Sequence, residues 1–319
     1  MNKVLIFFKI TIAQAIRVTF LKKIRMKKLI TILLILNLFV GYIGFGQQTQ
    51  SSLANEIGSL QNMETFINRK LINPTNLTDS NNFMIDFAIH EQWIGNNKAT
   101  NGFFLSGETG LSSKKCSIGL NIDFKNNGLW QHHSIISSIK YDWLINTNSK
   151  FELGLNMGFW QYRLDVSNLI YPQDPLTGSV YASEWQTIPR IDLGINYKYK
   201  AQSIGLSYNN MLTGTNNLTV FKGLILNYQN IYTVSKKITL IPEMYACLNS
   251  ENTYGIIILK LDYSKRITCG LLYNTKNSSG FLISGIIKKR AKIGYYYNLL
   301  NLNHQTFNSH CLNLGFIIK

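Results

Sequence analysis

The chain has 319 residues, with 32 Lys and Arg against 16 Asp and Glu, which gives a formal net charge of +16. Eight of the basic residues lie in residues 1–46, which contain no acidic residue, so the remaining 273 residues carry only +8. This moderate charge, with no zinc finger, RNP-like motif or basic helix, argues against a nucleic-acid partner.

Residues 26–46 have the form of a secretory signal peptide. Two lysines precede a short apolar run, and small residues follow at the spacing that a signal peptidase needs. We predict that Met26 is the true start and that residues 1–25 are an upstream extension. A long basic n-region beginning at Met1 is the alternative. Both interpretations predict export of the chain.

Four cysteines are spread over the exported part of the chain: Cys116, Cys247, Cys269 and Cys311. None belongs to a CxxC motif, and their spacing does not suit a metal site. A chain of this length does not need disulfides to be stable. We therefore interpret them as small apolar residues in strands and predict no metal or other cofactor.

Apolar and polar residues alternate regularly through residues 81–319. In the stretch KFELGLNMGFWQY, residues 150–162, every second residue from Phe151 to Phe159 is apolar, which is the period of a half-buried strand. Fourteen such strands are predicted: 81–92, 102–112, 115–124, 132–144, 150–162, 187–199, 202–210, 219–229, 237–249, 253–262, 266–273, 280–288, 290–297 and 310–318.

The connections between these strands alternate between short and long. Short ones are predicted at 112–114, 146–149, 200–202, 234–237, 263–266 and 288–290. Longer ones are predicted at 93–101, 125–131, 163–186, 210–218, 274–279 and 298–309. Only 249–252 is short where a long connection is expected. Tight turns at one rim and longer loops at the other indicate an all-β, up-and-down transmembrane barrel of about 14 antiparallel strands, rather than a soluble β-sandwich.

The barrel hypothesis assigns the two faces of each strand. The apolar face is predicted to contact outer-membrane lipid, with aromatic residues near the strand ends at the interfaces: Trp130, Trp143, Trp160, Tyr199, Tyr263 and Tyr297. The other face, rich in Asn, Ser, Gly and Asp, suits a wet lumen. Residues 47–80, before the barrel of 81–319, are predicted to lie in the lumen as a plug or at the periplasmic rim.

The long connections at 93–101 and 163–186 are predicted to be extracellular. Loops of this length tend to be functional or disordered. Aromatic residues often anchor protein interfaces, so four of them are candidate partner-binding residues: Trp93, Tyr171, Tyr181 and Trp185.

Histidines offer weak evidence for catalysis or metal binding. His132 and His133 are adjacent, so in a strand they point to opposite faces and cannot form a metal pair. His310 follows Ser309, but no GxSxG motif and no Ser–His pairing with a third group is evident. We predict that the protein is not an enzyme.

Several stretches resemble the PorP/SprF family of type IX secretion outer-membrane proteins, known from Bacteroidetes. LINPTNLTDS at 71–80 is similar to the family's INPAYAG element, and EQWIG at 91–95 to its QWxG element. IPRIDLGINYKYK at 188–200 resembles its mid-chain strand, and SHCLNLGF at 309–316 its terminal strand. Departures include Thr75–Thr78 in place of the small Ala-Tyr-Ala-Gly run.

The resemblance implies a 14-stranded barrel similar to the fatty-acid-transporter type in the cell outer membrane. It implies a role in secretion or surface attachment, linked to gliding motility, of a partner such as an adhesin with a type IX C-terminal domain, together with other type IX secretion components. It implies no catalysis. A channel or small-solute transporter is the alternative function.

Overall fold

A computed structural model describes residues 68–92, 101–111, 115–127, 130–164, 185–211, 223–248, 253–275, 278–288, 290–302 and 305–318. Two short 3-10 turns, η1 (Arg69–Leu71) and η2 (Pro74–Asn76), precede the strands. The strands are β1 (Phe83–Gln92), β2 (Asn101–Leu111), β3 (Cys116–Asn127), β4 (Trp130–Asn146), β5 (Ser149–Leu164), β6 (Gln186–Tyr199), β7 (Gln202–Asn209), β8 (Gly223–Asn230), β9 (Tyr232–Thr233), β10 (Ile238–Leu248), β11 (Tyr254–Tyr263), β12 (Ile267–Asn274), β13 (Ser278–Ile287), β14 (Ala291–Leu302) and β15 (Gln305–Ile318).

The strands form one closed antiparallel ring. Each strand pairs with its neighbour in the chain, and β1 pairs with β15 from Phe83 opposite Ile318 to Gln92 opposite Ser309. The two-residue β9 only extends the edge of β8 along β10, which leaves fourteen strands in the ring. The predicted 14-stranded up-and-down barrel is therefore confirmed.

The two faces of the strands separate apolar from polar side chains. On β5, Phe151, Leu153 and Met157 point outward and are 44%, 46% and 50% exposed, whereas Glu152 and Asn156 point inward and are fully buried. An outer surface of exposed aliphatic and aromatic side chains is stable only against lipid, so this alternation fixes which side of the sheet the membrane contacts.

Tight turns lie at one rim of the barrel, as predicted. Lys115, Lys200, Lys265 and Lys288 adopt left-handed backbone conformations there, with φ between 49° and 54°. These turns reverse the chain between β2 and β3, β6 and β7, β11 and β12, and β13 and β14. We call this end the short-turn rim.

The predicted long connection at 298–309 is wrong. β14 runs to Leu302, β15 begins at Gln305, and the two pair without interruption. The connection predicted at 125–131 is shortened in the same way, because β3 extends to Asn127 and β4 begins at Trp130. Beyond the apolar part of the membrane the outer face of a strand need not be apolar, so the alternation stops before the strand does.

The predicted interface position of Trp160 is also wrong. Trp160 shares the inward face of β5 with Asn156, and its ring contacts the His132 ring at 4.9 Å between centroids. Trp143, by contrast, is 63% exposed on the outer face. The inward face also carries an apolar cluster that alternation did not predict: Ile225, Tyr245, Cys247, Tyr254, Ile256, Ile258 and Leu272.

Within the described ranges no helix is both long and apolar enough to cross a membrane. The four cysteines lie on four different strands, β3, β10, β12 and β15, so their predicted placement in strands is confirmed. The predicted upstream extension, residues 1–25, and the signal peptide, residues 26–46, lie outside the described residues, as does the first part of the segment 47–80.

Candidate functional site

The residues before β1 lie against the inner face of the barrel. Residues 68–80, which we call the inner segment, include both 3-10 turns and contact inward side chains of β2 to β8 and β10. Lys70, Asn73, Thr75 and Leu77 of the segment are each at most 5% exposed. The polar inner face, predicted to be a wet lumen, is therefore covered here by the chain itself.

The sequence Asn73-Pro74-Thr75 determines the sharp bend of the inner segment. Asn73 has an extended backbone, and its side-chain Oδ1 accepts hydrogen bonds from the Thr75 backbone N–H at 3.0 Å and the Thr75 hydroxyl at 2.8 Å. Pro74 follows at the first position of η2, where its missing N–H has no cost. Together they cap the turn and fix its direction.

This bend lies on a glycine cradle, formed by Gly154 of β5, Gly194 of β6 and Gly205 of β7. A Cβ on Gly154 would lie 2.6 Å from the backbone carbonyl carbon of Pro74. A Cβ on Gly194 would meet the Pro74 ring at 2.9 Å, and one on Gly205 would meet Asn73 Nδ2 at 2.9 Å. Real Cβ atoms essentially never come this close, so the three glycines are needed for the segment to approach the wall.

Side chains of the wall bind the backbone of the inner segment. Asn156 Nδ2 donates to the Lys70 carbonyl at 2.9 Å, and the Arg190 guanidinium donates to the Leu71 carbonyl at 2.9 Å. The Ser207 hydroxyl donates to the Ile72 carbonyl at 2.7 Å. Because carbonyls of short 3-10 turns lack internal partners, these contacts satisfy acceptors that would otherwise be buried unpaired.

A partly buried ion pair joins the start of the inner segment to β10. Arg69 contacts Glu243 of β10 at 2.6 Å, and Lys260 of β11 lies 3.3 Å from the same carboxylate. The Glu243 side chain is 1% exposed. Burial opposes the charge of Arg69, but the carboxylate of Glu243 raises the pKa of the guanidinium above its ordinary value. Arg69 therefore stays charged and neutralises a carboxylate that burial would otherwise destabilise.

A second group of charges holds the other end of the segment, at the short-turn rim. Lys140 contacts the Asp79 carboxylate, and Lys150 contacts it at 2.9 Å. Lys150 and Lys198 also approach Glu152 at 2.8 and 2.7 Å. We call these residues, together with Asp142, the rim charge cluster. Burial tends to raise the pKa of Asp79, but hydrogen bonds and charge from Lys140 and Lys150 lower it to about 2.

Three carboxylates of the rim charge cluster, Asp79, Asp142 and Glu152, bring one oxygen each within 4.8 Å of one another. Lysine ammonium groups already contact all three of them. A cation would have to displace these lysines, so the arrangement is that of an ion-pair network rather than of a metal centre.

Among the predicted partner-binding residues, the structure describes Trp185, while Trp93, Tyr171 and Tyr181 lie outside the described residues. Trp185 is 37% exposed, and its ring lies 4.4 Å from the His133 ring. The Arg163 guanidinium lies 4.8 Å over the same ring. Trp185 therefore sits at the outer surface, at the end of the barrel opposite the short-turn rim, and is fixed by a cation–π contact.

The histidines do not converge. His132 faces inward against Trp160, whereas His133 faces outward against Phe124 and Trp185, as the alternation predicted. His310 Nδ1 lies 2.6 Å from the Tyr295 hydroxyl. His132 therefore faces the inside of the barrel, while His133 and His310 lie on the outer face on two strands that are not neighbours, β4 and β15.

Sequence reasoning missed the contact between the inner segment and the glycine cradle. Gly154 and Gly194 are polar-face members of alternating strands, and Gly205 lies in GLSYNN, where a strand glycine indicates curvature or close packing without showing what packs there. The INP element at 72–74 carries the family resemblance but has no local pattern that indicates a packing role. In the structure Gly154 pairs with Gly194, and Gly205 pairs with Asn196, two residues further along β6.

Taken together, the closed 14-stranded ring, its apolar outer face and its polar, occupied inner face define an outer-membrane β-barrel. The model of the type IX secretion system membrane protein family PorP/SprF matches residues 59–316. The chain therefore belongs to the PorP/SprF family, and the match includes the described inner segment. The sequence matches no curated protein.

Solved structures with a similar fold include two toluene transporters. The toluene transporter TodX of Pseudomonas putida aligns with a TM-score of 0.51 at 10% identity, over 79% of this chain and 93% of that one. The toluene transporter TbuX of Ralstonia pickettii aligns with a TM-score of 0.50 at 10% identity, over 78% and 93%. At this identity the likeness shows the fold alone.

Proposed function

We propose that this protein is a non-enzymatic barrel of the type IX secretion system that assists the secretion or surface attachment of one specific partner. The observation that carries the proposal is the occupied inner wall: residues 68–80 cover it, and wall side chains donate hydrogen bonds to three of their backbone carbonyls. A barrel whose inner face is covered in this way would serve as a membrane-embedded platform. The partner is a secreted surface protein, such as an adhesin with a type IX C-terminal domain, delivered by other components of the same system.

The partner-binding surface is proposed to lie opposite the short-turn rim. In outer-membrane barrels short turns face the periplasm and longer loops face the exterior. The long connection 165–184 begins and ends at this outer end, beside Arg163 and Trp185. Trp185 supports the proposal because an aromatic ring fixed in place and still partly exposed suits an interface anchor.

Deleting residues 170–184 tests the proposed surface. The barrel should still insert and show heat-modifiable migration on a gel, while the surface display of the partner should be lost. Trp185→Ala should weaken recovery of the partner from solubilised outer membrane. Trp143→Ala is the matched control, since Trp143 is exposed at the other end of the barrel. Normal display after the deletion would overturn the proposal.

A channel for small solutes is the second candidate. The inward apolar cluster around Ile256, Ile258 and Leu272 favours it, because such a wall would suit an apolar solute. TodX and TbuX, which share the fold, are toluene transporters. Conductance and toluene flux across liposomes, measured with and without residues 47–80, distinguish the two functions. Flux through the full chain would favour the channel, and flux only without the segment would favour the platform.

A further inference from the structure

The inner wall of β4 to β8 has the features of a peptide-binding site. We propose that this wall binds a short peptide that carries an Asn-Pro-Thr turn and a carboxylate five residues after the proline, and that the chain's own residues 69–79 are its exchangeable resident ligand. The inner segment is thus a bound peptide joined to the barrel by one covalent link, rather than a part of the barrel wall.

The contacts of the inner segment are those of a ligand. Residues 69–79 lie outside the strand ladder, and among the described residues the segment bonds to strand backbone at its end, where the Gly110 N–H donates to the Ser80 carbonyl at 2.7 Å. Its carbonyls at Lys70, Leu71 and Ile72 instead accept hydrogen bonds from wall side chains, and the Leu77 carbonyl accepts one from Lys140 at 2.8 Å. Since side chains of the wall bind the main chain of the segment, any peptide that adopts the same backbone can make these bonds.

Two features of the site select the peptide. The glycine cradle leaves room for the Asn73-Pro74 bend, and Asn227 accepts a 2.9 Å hydrogen bond from Asn73 Nδ2 at a fully buried position. A site built to bond an amide rejects a side chain that lacks it, because its own polar group is then left unpaired. At the other end, Lys140 and Lys150 bind the carboxylate of Asp79.

The segment is attached to the barrel at one place among the described residues, the short link from Ser80 to Phe83. Asn81 in this link is exposed, and Thr109 donates to its carbonyl at a long 3.4 Å. A protease site inserted between Asn81 and Asn82 therefore permits cleavage after the full chain has folded. Cleavage converts the intramolecular contact into a measurable two-component complex.

In the experiment, the folded, detergent-solubilised full chain is cleaved at the inserted site. Native mass spectrometry then shows whether the cleaved fragment stays bound to the barrel. A fluorescent synthetic peptide of residues 68–80 is then added. We expect the fragment to remain bound after cleavage and to exchange with the peptide. An Asn73→Ala peptide should bind about tenfold more weakly, since it would leave the buried Asn227 amide unpaired. A scrambled peptide should not bind.

A barrel variant separates specific binding from adsorption to detergent. Gly194→Leu fills the cradle and should abolish peptide binding, whereas Gly285→Ala should not, because the nearest atom to a Cβ there is 3.9 Å away. Both variants must show heat-modifiable migration to be scored. If Gly194→Leu does not fold, Asn227→Ala replaces it, with the same expected loss.

The proposal is overturned if the cleaved wild-type barrel binds the scrambled peptide as well as it binds the 68–80 peptide. It is also overturned if the cleaved barrel, once its own fragment has been removed, does not bind the 68–80 peptide. Neither readout involves a secreted partner. Failure of this inference is therefore distinguishable from failure of the proposed function.

Discussion

Asn73 donates a 2.9 Å hydrogen bond from its side-chain amide to Asn227, a residue 154 positions later on β8. Asn73 is fully buried, and Asn227 is 8% exposed. The same Asn73 side chain caps η2 through its oxygen. One amide thus determines both the shape of the inner segment and its position in the barrel. Its oxygen accepts the hydrogen bond that caps η2, and its nitrogen donates to Asn227 on the barrel wall.

Replacing Asn73 with Ala should release the inner segment without unfolding the barrel. The substitution removes the cap and leaves Asn227 unpaired, which together cost about 1–3 kcal/mol. Limited proteolysis should then cut within residues 68–80 at least several-fold faster. Asn126→Ala, which removes a hydrogen bond between two exposed side chains, serves as the control and should leave the rate unchanged.

Adding one methyl group to the glycine cradle should also release the inner segment. In Gly154→Ala the new Cβ meets backbone atoms of Pro74 and Thr75, both at 2.6 Å, so the segment must move. Overpacking of this kind costs about 1–3 kcal/mol. Hydrogen–deuterium exchange of residues 69–79 measures the release. Gly285→Ala is the matched control, because a Cβ there would lie 3.9 Å from its nearest neighbour. Equal hydrogen–deuterium exchange of residues 69–79 in the two variants would contradict the role of the cradle.

Removing the charge of Glu243 should destabilise the barrel strongly. Glu243→Gln leaves the buried Lys260 and the partly exposed Arg69 with no carboxylate between them. Breaking one partner of a fully buried ion pair costs about 3–5 kcal/mol, and the 29% exposure of Arg69 places the expected loss below the upper end of that range. Urea unfolding in detergent should show the loss. Glu91→Gln, at an exposed position of β1, should change the urea midpoint little. An equal shift of the midpoint in both variants would contradict a stabilising ion pair at Glu243.

The anchor at Asp79 should weaken in acid. Its pKa in the folded chain is about 2, below the ordinary value of about 3.9 expected when the chain is unfolded. A lowered folded-state pKa gives stabilisation that is complete above the unfolded value and is lost as pH falls through the folded value. The fraction of chains with a released inner segment should therefore be constant from pH 5 to 8 and rise as the pH falls from about 4 to 2. Asp79→Asn should remove this rise, and an unchanged acid profile would exclude Asp79 as its source.

The outer face should not tolerate charge. Met157, near the middle of β5, is 50% exposed on the side that contacts lipid. A lysine near the bilayer centre costs a barrel about 2–4 kcal/mol. Met157→Lys should lower the yield of heat-modifiable protein after refolding into liposomes, whereas Met157→Leu should not. Equal yields would contradict the assignment of this face.

The sequence predicted the outer half of this architecture better than the inner half. Lipid requires an apolar residue at every second position, so Phe151, Leu153 and Met157 are recognisable without any partner in view. The inner contacts join residues far apart, such as Asn73 and Asn227, and leave no local pattern. Trp160 was wrongly placed at the interface because it lies near a strand end, although the alternation itself puts it on the inward face. The alternation ended before the strands did at 298–309, where β14 runs to Leu302 and β15 begins at Gln305.

Pairing between the first and last strands sets the order of assembly. Phe83 lies opposite Ile318, so the ring has an open seam until the C-terminal end of the chain arrives. Closing that seam joins residues at maximal separation, which makes it a slow step. Residues 68–80 come immediately before β1 and are enclosed by strands made later. The barrel is therefore expected to form around its own N-terminal residues, which would act as an internal template during insertion.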